Sequence, residues 1–133
     1  MLQLKLVSPS QLVFDQQASK IEVPGVLGYL CVGSKHTPFL SELRPGIIRV
    51  YDQSYKVSHS YYVSGGYFQI EQDNATILAD IVESKDEIDQ TRALSSQKRA
   101  KERLAQTSNS DINIKRALHS LVRAEARISL KES

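Results

Sequence analysis

The chain has 133 residues, 41% hydrophobic and 24% charged, the make-up of one ordinary soluble domain, or of a small domain with an appendage, rather than of a disordered segment. No run approaches the ~18 apolar residues of a membrane-spanning helix, and the single cysteine, Cys31, excludes an internal disulfide and a cysteine-built metal site. The net charge of +2 conceals two unlike parts: residues 1–84 hold six Lys+Arg against eight Asp+Glu, residues 85–133 hold eleven against seven, and every Pro and Gly lies in the first part. That asymmetry predicts two modules, 1–84 and 85–133.

The first module reads as short β-rich runs cut by turn signals. "LQLKLV" alternates with period two and stops at Ser8-Pro9-Ser10, and "LVFD" follows. "KIEV" stops at Pro24-Gly25 and "YLCV" at Gly33. Beyond Pro45-Gly46 come "IIRVY", "YKVSH" and "YYVS", then "YFQIE" after Gly65-Gly66 and "ATILADIV" after Asp73-Asn74. Turns every 8–12 residues or so, with no helical period between them, predict an antiparallel β-sandwich or flattened barrel. With so few residues its core is thin and gains from packing on something else.

Nothing in this module reads as chemistry. His36, His59 and His119 are far apart and lack metal-ligand spacing. His36, in "KHTPF", is expected to make a loop hydrogen bond. Ser64-Gly65-Gly66 precedes a strand rather than a helix, so it reads as a tight turn or bulge and not as a phosphate loop. Cys31 has no basic neighbour to activate it and is expected to pack as a small side chain. Tyr61, Tyr62, Tyr67 and Phe68 are expected in core and cross-strand packing.

The second module is helical. Ser84 with Glu87 makes a capping box, and Asp86, Glu87 and Asp89 crowd a first turn where the helix dipole favours negative charge. The pattern predicts a first helix over about 85–106, a break at "TSNSD", and a second over about 111–131 capped by Ser110 or Asp111. At 100° per residue, Ala93, Gln97, Ala100 and Leu104 share one stripe, and Ile114, Ala117, Leu121, Ala124 and Ile128 share another. A connection this short makes the helices antiparallel neighbours, and the alanines let their axes approach closely.

Arg92, Arg99 and Arg103 recur 24 residues later as Arg116, Arg123 and Arg127. Each trio lies about 100° from its apolar seam, on the same hand. The two-fold axis that relates antiparallel helices carries front face to front face, so both trios line one side, with Asp89 at its edge. Such a face is either a solvated surface relieved by Glu102, Glu125 and salt, or a seat for an anionic partner, since the planar guanidinium suits phosphate and carboxylate. Two further readings of the residues are a nucleic-acid-binding module that uses this face, which the net negative sandwich opposes, and a small hydrolase, which the missing nucleophile–base pair opposes.

Strand-rich module first and helical hairpin second, the chain resembles the epsilon subunits of bacterial F-type ATP synthases, called delta in mitochondria, along nearly all its length. "VSPSQLVFD", "VPGVLGYLCVGSKHTPFLSELRPGIIRV", "YYVSGGYFQI", "ATILAD" and "EIDQTRA" carry the likeness by their order and spacing. Cys31 stands where the family usually has glycine, and Gly33-Ser34-Lys35 replaces a Leu-Pro-Gly-like run before His36 and Pro38.

The resemblance implies a ten-stranded sandwich held by the gamma subunit, with one end on the ring of c subunits and His36 and Pro38 in a loop near one of them. It implies a non-catalytic part of the central stalk that couples proton flow to ATP synthesis, peripheral to the membrane through its complex. The lack of a leader pattern in "MLQLKLVSPS" points to the cytoplasmic side of a bacterial (inner) membrane rather than to a mitochondrion. In many members the hairpin moves, and when extended it meets the beta and alpha subunits and inhibits ATP hydrolysis. Arg92, Arg99, Arg103, Arg116, Arg123 and Arg127 are the residues expected to meet beta. Some members bind ATP as a regulatory ligand in the folded hairpin, and none needs a cofactor. The matching positions are Glu83, Ile88, Asp89, Arg92, Ala93, Arg99, Arg123 and Arg127, set against the plainer reading of "EIDQTRA" as a capped helix start with an Asp89–Arg92 ion pair.

Overall fold

The computed structural model describes residues 1–106 and 111–133, and the side chains outside 107–113. Eight strands come first: β1 (Leu2–Ser8), β2 (Gln11–Ala18), β3 (Lys20–Gly25), β4 (Gly28–Gly33), β5 (Phe39–Tyr51), β6 (Val57–Glu71), β7 (Asn74–Leu78) and β8 (Val82–Ser84). A 3-10 turn, Lys85–Glu87, leads to α1 (Gln90–Ala105) and α2 (Asp111–Glu132). Of the break expected at "TSNSD", 107–110 lie outside the described residues, as do the caps expected from Ser110 or the Asp111 side chain, whereas the backbone of Asp111 already belongs to α2.

The strands hydrogen-bond in the order β2-β1-β7-β6-β5-β3-β4, with β8 added to β6. Several signals that read as turns are corners within strands. "YKVSH", "YYVS" and "YFQIE" are all β6, whose 15 residues run straight through Gly65-Gly66, and the 13 residues of β5 run through Pro45-Gly46. The two interruptions face each other: Pro45 pairs with Ser64 and Leu43 with Gly66, while Arg44 and Gly65 are skipped. Side-chain parity changes there in both strands, since Leu43 and Ile48, an odd number apart, share one core with Val63 and Phe68, again an odd number apart. The ladder therefore turns over at this line and both halves face the same interior. Counted by halves, β5 and β6 make up the ten strands that the resemblance implies. Gly66 cannot be replaced cheaply, because at φ +146° a Cβ would stand 1.9 Å from the Leu78 carbonyl oxygen of β7.

Two further expectations need correction. The sheet is mixed rather than wholly antiparallel, because β1 runs parallel to β7, Leu4 opposite Ala75 and Leu6 opposite Ile77. A parallel neighbour has no connecting turn and so leaves no mark in the spacing of turn residues. "ATILADIV" is two strands, β7 and β8, which pair with different parts of β6.

Leu2, Leu4, Leu6, Ile48, Phe68, Ile70 and Ile77 are completely buried between the layers. Outside the sandwich a second cluster, Ile47, Tyr62, Ile88 and Leu130 with Ala126 against it, fixes the hairpin to the outer face of β5 and β6. The helices meet each other through Ala93, Ala100, Ala117, Ala124 and Ile128, all buried as expected. Gln97, Leu104 and Leu121 are only partly covered, and Ile114 is 38% exposed at the edge of the seam.

Candidate functional site: an arginine-lined cleft

Helix one begins five residues later than its acidic run suggests. The Ser84–Glu87 contact caps only the 3-10 turn: Glu87 Oε1 accepts from the Ser84 backbone N–H at 3.1 Å and from its hydroxyl at 2.9 Å. Both bonds favour the ionised carboxylate and hold the Glu87 pKa below its ordinary value. Ile88 then drops into the second cluster, and Asp89 caps α1, its Oδ1 accepting the Arg92 backbone N–H at 3.0 Å. The Asp89–Arg92 relation is thus the capped helix start of the plainer reading, without an ion pair between the two side chains among the described residues.

Asp89 starts α1 five residues past the end of β8, while α2 returns beside α1 and docks through Ala126 and Leu130. Between hairpin and sandwich this leaves a cleft of about 520 Å³. Arg92, Arg99, Arg103, Arg123 and Arg127 all line it, with Glu83 and Asp89 at the sandwich side and Ala93 on the floor. Five of the six arginines predicted to share a face therefore share a cavity. Arg116, nearest the connection between the helices, is exposed and outside it. Ile88, although predicted for the same site, is buried beneath it.

The charges inside are unevenly answered. Arg127 Nε donates to Glu83 Oε1 at 2.7 Å, and its guanidinium lies 4.5 Å above the ring centre of Tyr62. Glu87 is engaged by Ser84 and Asp89 by the helix start. Among the described residues, the other four arginines of the cleft have no carboxylate within ion-pair distance, and Glu102 and Glu125 relieve none of them. Arg99 and Arg123 reach only serines one turn back, Ser96 and Ser120. Four guanidiniums around a cavity of this volume can hold a polyanion of small-molecule size.

The other candidates lie elsewhere. His36 donates from Nδ1 to the Thr37 carbonyl at 2.7 Å, with its ring edge-on to Phe39 and the loop ending at Pro38. That loop is tied down by Asp73, whose carboxylate accepts from the Lys35 N–H at 2.6 Å and the Ser34 hydroxyl at 3.0 Å. These bonds hold the Asp73 pKa below its ordinary value. Cys31 is exposed rather than packed, because its side chain points outward from β4, an outermost strand of the sheet. Among the described residues, no group of three or more His, Cys, Asp or Glu is placed to hold a metal.

The sandwich offers two apolar surfaces that sequence reading missed. Leu27, at the tip of the β3–β4 hairpin, is fully exposed beside Val26 and Tyr29. Leu12, Val7, Leu78 and Tyr67 stand side by side across β2, β1, β7 and β6, with Leu12, Leu78 and Tyr67 more than half exposed. Register, which brings these residues into one row, is what the bare sequence lacks.

A sandwich with exposed apolar surfaces, joined to a basic hairpin that packs on its outer face, is the two-part build the described residues present. The chain belongs to the delta/epsilon family of ATP synthase, the non-catalytic subunits of the central rotor stalk: residues 1–85 match "ATP synthase, Delta/Epsilon chain, beta-sandwich domain" and 86–132 match "ATP synthase, Delta/Epsilon chain, long alpha-helix domain". It is 36% identical over 126 residues to the ATP synthase epsilon chain of Desulfitobacterium hafniense (strain Y51), covering 95% of this chain and 92% of that one. With the epsilon chain of Nitratidesulfovibrio vulgaris (strain DP4) it shares 35% over 130 residues, 98% of this chain and 95% of the other. Among solved structures, a chain of the Euglena gracilis mitochondrial ATP synthase, OSCP/F1/c-ring, superposes with a TM-score of 0.80 at 20% identity, covering 92% of this chain and 76% of that one. One from the Tetrahymena thermophila central stalk and c-ring gives 0.63 at 13%, covering 97% and 95%. No helix among the described residues is long and apolar enough to cross a membrane.

Proposed function

We propose that this stalk subunit docks on the gamma subunit and the c ring through its sandwich and governs ATP hydrolysis through its hairpin, with ATP as the ligand that holds the hairpin down. One observation carries the regulatory reading: four guanidiniums without carboxylate partners among the described residues converge on one cleft at the very interface that lifting the hairpin would open. A polyanion there binds the docked state alone and so shifts the equilibrium towards it. Once extended, the same arginines meet acidic surface on the beta and alpha subunits and inhibit hydrolysis. The row Leu12–Val7–Leu78–Tyr67 suits gamma, being apolar and continuous, and the Leu27 hairpin or the His36–Pro38 loop suits the c ring. The close bacterial-type relatives favour the cytoplasmic side of a bacterial inner membrane over a mitochondrion, whose chains are only 20% and 13% identical.

Calorimetric titration of ATP into the full chain tests this reading. Saturable binding is expected, weakened roughly 10- to 100-fold in Arg92→Ala and in Arg99→Ala, as befits loss of a charged hydrogen bond. No heat of binding up to millimolar ATP would remove ATP from the account and leave the arginines to the beta subunit.

A further inference from the structure

The two helices carry a repeat longer than their alanines and arginines. R-A-L-x-S-x-x-R-A-x-x-R reads from Arg92 to Arg103 and again from Arg116 to Arg127, so Ser96 has its counterpart in Ser120. Because α1 ends at Ala105 and α2 begins at Asp111, residues whose numbers sum to about 216 lie level across the antiparallel seam. Among pairs related by the repeat, Ser96 and Ser120 are the ones that meet this condition. They therefore flank the pseudo-two-fold axis of the hairpin, and both face the cleft.

The repeat extends to side-chain contacts. Arg99 Nη2 lies 3.5 Å from Ser96 Oγ, and Arg123 Nη2 lies 3.4 Å from Ser120 Oγ. These contacts are long, so the guanidiniums are steered rather than consumed. Each serine that accepts from its arginine keeps its own O–H to donate elsewhere. Among the described residues, the carboxylates that line the cleft are already engaged, Glu83 by Arg127, Glu87 by Ser84 and Asp89 by the start of α1. The buried Ala100 and Ala124 close the floor with methyl groups.

We infer that Ser96 and Ser120, with Arg99 and Arg123, form a phosphate seat on the axis of the hairpin, two hydroxyls and two guanidiniums converging on one tetrahedral phosphoryl group. The seat rests on the reading of the cleft as an anion site and names the place within it where one phosphate sits. Its occupant is a phosphoryl group, whether the phosphate of a nucleotide or free inorganic phosphate.

The test is titration of the full chain with ATP and, separately, with inorganic phosphate, for wild type, Ser96→Ala, Ser120→Ala, the double variant and Ser96→Thr. Alanine is the better helix former, so a loss of affinity in the alanine variants does not stem from a weakened helix. Each single change is expected to weaken binding about five- to tenfold and the double about 25- to 100-fold, while Ser96→Thr, which keeps a hydroxyl, stays close to wild type. Binding of ATP but not of phosphate, lost in the double variant, assigns the seat to the nucleotide, and the converse assigns it to the free ion. A double variant that binds as wild type overturns the seat and leaves the cleft an anion site. If the wild type binds neither probe, the anion reading of the cleft falls and the seat with it.

Discussion

Tyr62 and Arg127 concentrate the energetics of docking at two residues. The Tyr62 ring is wholly buried under α2, and its hydroxyl finds no hydrogen-bond partner among the described residues. A buried, unmatched hydroxyl costs about 1–3 kcal/mol. Tyr62→Phe keeps the ring beneath Arg127 and deletes the unmatched group, so the chain is expected to gain stability of that order in denaturant titration. Glu83→Gln acts in the opposite sense. It removes the charge that answers Arg127, and because both side chains are about a quarter exposed, a loss of about 1–2 kcal/mol is expected. Burial is the main force that raises the Tyr62 pKa; the guanidiniums of Arg127 and Arg123 oppose it and Glu83 adds to it. A raised tyrosine pKa means the folded chain holds the proton more tightly than the unfolded one. The corresponding stability is full below the unfolded value of about 10 and drains away as pH rises towards the folded one. Thermal unfolding of wild type should therefore weaken more between pH 9 and 11 than that of Tyr62→Phe, and equal alkaline losses would place the sensitive tyrosine elsewhere.

Among elements, what could be read from the chain divides by whether a signal is local. The alanine seam and the arginine stripe obey one helix's own period, and both were legible, as were the two helices and most inward faces of the strands. Adjacency between distant segments was not: the parallel β1–β7 pair and the Leu12–Tyr67 row exist only once register is set. Pro45-Gly46 and Gly65-Gly66 misled for a different reason, since backbone that turns a corner within a strand needs the same residues as backbone that ends one. Ala126 and Leu130, which dock α2, were overlooked although they stand four apart on one helix side, and Ser96 and Ser120 although the repeat contains them. The helix start was placed too early because two caps follow in succession, Ser84 for the 3-10 turn and Asp89 for α1. Each has its own consequence. Asp89→Ala should cost α1 about 0.5–2 kcal/mol and fray its first turn, visible as faster amide exchange near Arg92. The Glu87 carboxylate, whose pKa is depressed by Ser84, stabilises the turn above the ordinary glutamate range and loses that effect as pH falls through its folded value. Glu87→Gln should remove this acid-side dependence and leave the neutral and alkaline behaviour in place.

For the whole molecule, the proposed regulation requires that the hairpin's hold on the sandwich be weak enough to release. The docking cluster is small, four buried residues with Ala126 against them, and the seam between the helices is made chiefly of methyl groups. Alanine contacts bring the helices close but bury little area, so the hairpin's closure is specific in shape and modest in energy. An alanine-width seam also has no room for larger side chains: overpacking such a contact costs about 1–3 kcal/mol. Ala93→Leu with Ala117→Leu should prise α1 from α2, widen the cleft and disperse its arginines, while the sandwich, whose core shares no residue with the seam, stays folded. In the reconstituted complex the variant is expected to favour the extended hairpin and slow ATP hydrolysis, and the isolated chain should bind ATP less tightly. The two measurements separate the causes. Slower hydrolysis with weaker ATP binding fits a hairpin released by its own seam, whereas unchanged or faster hydrolysis would mean that the closure of the two helices on each other does not govern the inhibitory state.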